Sequence, residues 1–91
     1  METQKMKTAV VILNWNGKHW LEKFLPNVIS NSLDATVIVA DNNSTDDSVS
    51  YLKENFPNIQ IIQNNGNYGY AKGYNLSLKQ IDAQYFILLN S

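Results

Sequence analysis

A carboxylate and two amides follow directly on an apolar run near the middle of the chain. Thr36-Val37-Ile38-Val39-Ala40 gives way to Asp41-Asn42-Asn43 and then to Ser44-Thr45-Asp46-Asp47-Ser48. An ionised carboxylate accepts N–H donors such as those of uracil, thymine or guanine, and an amide both donates and accepts. The apolar run reads as a buried strand that delivers Asp41, Asn42 and Asn43 to the carboxyl edge of a sheet. In open α/β sheets ligands bind at that edge. A ligand with hydrogen-bonding edges, above all a nucleotide, suits these groups. The same residue types also suit a helix start, since Asp, Asn, Ser and Thr are the usual N-cap set. Asp41 then caps the helix or bonds a ribose. The spacing predicts a helix from about Ser44, with Asp47 three residues on as a capping-box partner. Asp46 and Asp47 suit the positive end of that helix better than a ligand.

Two further clusters have comparable chemistry. Asn14-Trp15-Asn16-Gly17 follows a first apolar run, and Trp15 there either lies against a base or ribose or covers the end of the sheet. Its neighbours also suit a plain turn, because Asn and Gly tolerate left-handed backbone. The third cluster runs from Asn64 to Asn75 and contains Gly66, Gly69 and Gly73, which permit tight turning. It is neither the G-x-G-x-x-G of dinucleotide sites nor the G-K-[ST] of a phosphate loop. Lys72 is the one cation placed near a helix start, where anions bind well, unless it is simply a solvated surface lysine. Asn75, one turn on, can reach the same ligand. No nucleophilic triad can be assembled around the single histidine, His19. The acids at these positions suit binding, and none stands out as a general base.

The elements that would hold these clusters follow from hydrophobic periodicity. Apolar runs at residues 8–13, 36–40, 59–62 and 85–89 are continuous, as in strands covered on both faces of a parallel sheet. Between the first two, Leu21, Phe24, Leu25, Val28 and Ile29 mark one face of a helix over residues 18–33. Pro26 within it is expected to kink or divide that helix. The second helix presents Val49, Leu52 and Phe56 and stops at Pro57. The third covers residues 70–81, with Ala71, Tyr74, Leu78 and Ile81 inward. The order β-α-β-α-β-α-β predicts an α/β fold with an open, doubly wound, mostly parallel sheet. Such a sheet brings the three clusters to one edge.

Bulk properties narrow the function classes. Ninety-one residues with a formal net charge of −1 make one small domain with no broad field to attract nucleic acid. Seven lysines are scattered and arginine is absent, so phosphate contacts rely on Lys or backbone N–H. The lack of cysteine excludes disulfides and thiolate metal sites. No apolar run approaches the roughly 18–20 residues of a membrane span. Residues 1–7 read as a polar N-terminal tail without the apolar core of a signal peptide. A cytoplasmic location is therefore expected.

Taken in order, the motifs resemble the start of a family 2 glycosyltransferase with the GT-A fold. Residues 10–17 resemble its first strand and turn, and residues 37–46 the strand ending in Asp-Asn/Asp-x-Ser-Thr-Asp. Residues 67–75 resemble a Gly-rich helix start often seen as Asn-x-Gly-Phe-Ala-x-Gly-x-Asn. Residues 86–91 resemble the strand leading to an Asp-x-Asp metal motif. The resemblance implies that residues 8–91 form a truncated, nucleotide-sugar-binding GT-A subdomain. Leu13, Asn14 and Trp15 would line the base and ribose site. Asp41 and Asn42 would contact base or ribose, with Asn43 adjacent. Lys72 and Asn75 would line the nucleotide pocket. Many members have two acids where this chain has Asp41-Asn42. For the intact enzyme the resemblance implies a nucleotide-diphosphate-sugar donor and a glycan or lipid-linked acceptor. It also implies inverting transfer, Mg2+ or Mn2+ held by an Asp-x-Asp after Ser91, and a location extending to the cytoplasmic membrane face. Without that motif and a general base, the 91-residue chain is expected to be inactive and to self-associate through an exposed strand edge. A stand-alone, non-catalytic α/β module for a nucleotide or small ligand is the alternative. A phosphoacceptor receiver domain fits less well, since it needs acids where Asn14 and Asn16 stand.

Overall fold

The computed structural model describes residues 6–91. The elements are β1 (Met6–Asn14), α1 (Lys18–Ser30), β2 (Thr36–Asp41), α2 (Ser48–Asn55), β3 (Gln60–Gln63), α3 (Gly69–Leu78) and β4 (Ala83–Asn90). All four strands are parallel and form one sheet in the order β3-β2-β1-β4. Of the expected tail over residues 1–7, residues 1–5 lie outside the described residues. Met6 and Lys7 belong instead to β1, where Met6 pairs with Ala83.

Alternation along the strands divides the core between two faces. Ala9, Val11, Leu13, Ile38, Ala40 and Ile62 pack against Tyr74 and Leu78 of α3. Ile12 and Val39 pack on the opposite face against Leu21 and Leu25 of α1 and Leu52 of α2. The sheet is therefore wound on both sides, as the continuous apolar runs require. Each fully buried Leu or Ile contributes about 1.5–3 kcal/mol.

The helices depart from their expected bounds for local reasons. Helix α1 continues through Pro26 and is not divided there. It ends at Ser30 and not near Leu33, because the Asn31 side-chain amide donates to the Asn27 carbonyl (2.8 Å) and a turn follows. Leu33 lies exposed beyond it. Helix α2 starts at Ser48 and not near Ser44. Ser44 is drawn the other way: its N–H and hydroxyl both donate to the Asp41 carboxylate (2.8 and 2.7 Å). The capping-box role expected of Ser44 and Asp47 is thus not filled. Asp46 receives the Ser48 N–H (2.9 Å) instead. Helix α3 ends at Leu78, with Tyr74 and Leu78 inward as expected, whereas Ala71 is exposed and Ile81 is buried past the helix end.

The two outer strands differ. β3 is four residues long with a Gln at each end. β4 is eight residues long, uncharged and proline-free. Its Tyr85, Phe86, Ile87 and Leu88 are all at least 36% exposed, so both faces of that edge stand uncovered.

Candidate functional site

The strand tips are joined by ladder-like bonds that run one residue past each strand. Asn42 N–H donates to Asn14 O (2.8 Å), Asn64 N–H to Asp41 O (2.8 Å) and Ser91 N–H to Leu13 O (3.1 Å). Between them sits the fully buried Asn14. Its Nδ2 donates to Asp41 Oδ1 (2.9 Å) and, at 3.3 Å, to Ser44 Oγ. Its Oδ1 accepts the Ser91 hydroxyl (2.6 Å). A side chain at Gly17 would collide with Ser91 Oγ and Asn14 Oδ1, which accounts for the glycine after the turn. Asn14 and the buried Asp41 thus tie β1 to both neighbours, β2 and β4, at the point where the sheet order reverses.

An exposed clasp joins the loops that follow β1 and β2. Asn16 takes left-handed backbone (φ 52). Its Oδ1 accepts the N–H groups of Thr45 (2.7 Å) and Asp46 (3.1 Å), and its own N–H donates to Ser44 Oγ (2.9 Å). Asp46 stands between two helix starts. Its Oδ2 accepts Lys18 N–H (3.2 Å) and its Oδ1 accepts the Ser48 N–H and hydroxyl (2.9 and 2.5 Å). Partial desolvation opposes its charge. The Ser48 hydroxyl and N–H, the Lys18 N–H and the Lys18 ammonium outweigh that effect, and its carboxyl titrates below the ordinary aspartate value. Asp47 pairs with Lys18 Nζ at 3.8 Å. Asp46 thus serves two helix starts, whereas Asp47 makes no side-chain cap bond.

A buried relay joins the tips of β2 and β3 to α3. Asn64 Nδ2 donates to Asn42 Oδ1 (2.8 Å) and to Ser77 Oγ (3.1 Å). The Ser77 hydroxyl donates to Gly73 O (2.8 Å), and Asn42 Nδ2 to Gly69 O (3.3 Å). Helix α3 approaches so closely that a Cβ on Gly73 would lie 2.7 Å from Asn42 Nδ2.

Above these groups opens a cavity of about 240 Å³, lined by Leu13, Trp15, Asn42, Asn67, Gly69 and Ser91. Trp15, 49% exposed, forms its open wall. Lys72 is exposed one turn into α3, with its ammonium 4.7 Å from the Tyr68 ring centroid. The Tyr68 hydroxyl bonds Asn65 Oδ1.

Of the residues expected at the site, Leu13, Trp15 and Asn42 line this cavity. Asn14 and Asp41 lie buried beside it and engage protein partners. Asn43, in left-handed backbone (φ 61), Lys72 and Asn75 are exposed and outside the lining. Asn67, Gly69 and Ser91 were not among the expected residues. The Asn-x-Gly pattern at Asn67 to Gly69 carried the signal for two of them, and the register of the fourth strand tip carried it for Ser91. Asn64 joins the relay although the sequence distinguishes it in no way from its neighbour Asn65. Among the described residues no group of three His, Cys, Asp or Glu side chains could hold a metal ion.

A model of the family described as Glycosyl transferase family 2 matches residues 9–91. An N-acetylglucosaminyl-diphospho-decaprenol L-rhamnosyltransferase of Mycobacterium tuberculosis is 27% identical over 73 residues, covering 79% of this chain and 24% of that protein. S. aureus TarS 1-349 in complex with UDP superposes with a TM-score of 0.80 at 23% identity, over 94% of this chain and 27% of that one. The mannosyltransferase PcManGT from Pyrobaculum calidifontis, in complex with GDP-Man and Mn2+, gives 0.70 at 22% identity, over 86% and 25%. The chain spans about a quarter of the length of these relatives.

Proposed function

The chain belongs to glycosyl transferase family 2 and has the Rossmann-like α/β fold of its GT-A neighbours, and from that premise we propose that it forms the donor-binding part of a sugar transferase. The donor is a nucleotide-diphosphate-sugar, and transfer by the whole protein inverts the anomeric centre. The observation that carries this reading is the cavity outside the carboxyl ends of β1 and β2, walled by Trp15 and floored by Leu13 and Asn42. A base or ribose lies against the Trp15 ring, and Asn42, with Asn43 adjacent, faces its polar edge. Asn14 and Asp41 hold the floor from below. Lys72 leaves the Tyr68 ring to meet the diphosphate, with Asn75 on the same helix.

The chain alone binds donor without turning it over. The carboxylates at this edge are already engaged: Asp41 by Asn14 and Ser44, Asp46 by Lys18 and Ser48, Asp47 by Lys18. None is placed to take a proton from an acceptor. In the whole protein Mg2+ or Mn2+ on the diphosphate would stabilise the leaving group; a neighbour in fold was solved with GDP-Man and Mn2+. A relative named for a decaprenol-linked substrate supports a lipid-linked acceptor. It equally supports a peripheral position at the cytoplasmic membrane face. No helix among the described residues is long and apolar enough to cross a membrane. The open β4 edge makes the chain self-associate by strand pairing with a second copy, in contrast to the short, polar-ended β3. Sedimentation velocity checks this, and a monomer at every concentration would remove it.

Titration with UDP, dTDP and GDP, followed by backbone amide shifts, tests the donor site. Shifts are expected at Leu13 to Trp15, Asp41 to Asn43 and Lys72 to Asn75. Lys72→Ala is expected to weaken diphosphate binding by about fivefold, with a loss of salt dependence. No shift with any of the three would overturn the reading, and sugar transfer by the purified chain supplied with acceptor and metal would overturn the inactivity.

A further inference from the structure

We propose, on the donor-site reading, that Asn64 and Ser77 are positioning residues that set how far the phosphate-facing turn of α3 stands from the base-facing wall. Neither residue lines the cavity. Asn64 donates to Asn42, which does line it, and to Ser77, which in turn donates to the Gly73 carbonyl one turn back along α3. Gly73 adjoins Lys72 in that turn. The base-facing wall and the cation are therefore connected by three side chains in series, Asn42, Asn64 and Ser77. All three are buried, at 2%, 8% and 0% exposure.

The series works as a spacer because every member is engaged. Among the described residues no buried side-chain nitrogen or oxygen lacks a partner. The Asn42 amide accepts from Asn64 at one end and donates to Gly69 at the other, so it cannot turn without breaking a buried bond. Gly73 sets the opposite limit, since Asn42 Nδ2 already occupies the space that a Cβ there would enter. Helix α3 can neither approach the β2 tip nor drift from it while the relay is intact. A nucleoside diphosphate spans this distance, with its base on one side and its phosphates on the other. A nucleoside touches only the first side.

That asymmetry separates positioning from a general role in stability. The probes are whichever of UDP, dTDP and GDP binds the wild-type chain and the matching nucleoside. Ser77→Ala removes the link while favouring helix. It is expected to weaken diphosphate binding about three- to tenfold, as for one lost hydrogen bond, while nucleoside affinity changes less than twofold. In the wild-type chain, which needs no variant to fold, the Asn64 side-chain amide protons are expected to shift further with the diphosphate than with the nucleoside, which reaches them only through Asn42. Equal losses for both probes, an unchanged diphosphate affinity in folded Ser77→Ala, or Asn64 amide protons indifferent to the diphosphate would each overturn the inference alone. A wild-type chain that binds none of the three diphosphates would overturn the donor-site reading and this inference with it.

Discussion

Two polar clusters stand at the same edge of the sheet, and they are built from the same few residue types. The clasp around Asn16 and Asp46 joins two loops in contact with solvent. The relay around Asn42 and Asn64 joins two strand tips to a helix and is buried beneath the cavity. In the clasp, water can replace any partner that moves, so each bond contributes little net stability. In the relay a lost partner leaves a buried polar group, and the geometry is held by that larger penalty. Exposure, more than residue type, decides which asparagine only closes a loop and which one fixes a distance.

The contrast can be broken by substitution. Asn42→Ala strips partners from Asn64 Nδ2 and Gly69 O. It is expected to lower stability by about 2–3 kcal/mol, read from urea unfolding. Asn16→Gly keeps the left-handed backbone and removes only the exposed side-chain bonds. About 0.5–1 kcal/mol is expected, and a loss matching that of Asn42→Ala would erase the distinction. The smallest effect concerns acid. The Asp46 carboxyl titrates lower in the folded chain than in the unfolded one. Its contribution is therefore present above the ordinary aspartate value and is lost as pH falls through the depressed folded value. Asp46→Asn should flatten the low-pH limb of the stability profile below about pH 4 and leave the neutral limb parallel to wild type.

The strands are legible in the sequence because each is a continuous apolar run, and their ends run on because Asn14 and Asp41 pair across the ladder as strand residues do. The start of α2 is not legible. Ser44 satisfies the local capping pattern, and what draws it away from that role is Asp41, held in place by Asn14 from 27 residues away. The same holds for the site. Parallel order alone brings Leu13, Asp41 and Asn42 to one edge, so their place is readable. Which asparagines turn inward is not, because Asn64 finds its partner 22 residues back and Asn16 finds its own 28 to 30 residues on. Lys72 reads as a phosphate ligand from its position, yet the fold rests it on Tyr68, a contact that no helix-start pattern encodes.

The ladder between β1 and β4 also has a consequence in time. It pairs Met6 with Ala83 and Leu13 with Asn90, and the bond from Ser91 to Asn14 spans 77 residues. Closing so long a loop carries an entropic penalty before any contact offsets it, and non-local pairings of this kind slow folding. The β1–β2 ladder needs far less chain. During synthesis, which proceeds from the N-terminus, the central strand therefore waits with one flank bare until β4 emerges. The turn at Gly17 stays without its Ser91 neighbour for the same interval, so the ligand edge is finished only when the strand beside it docks.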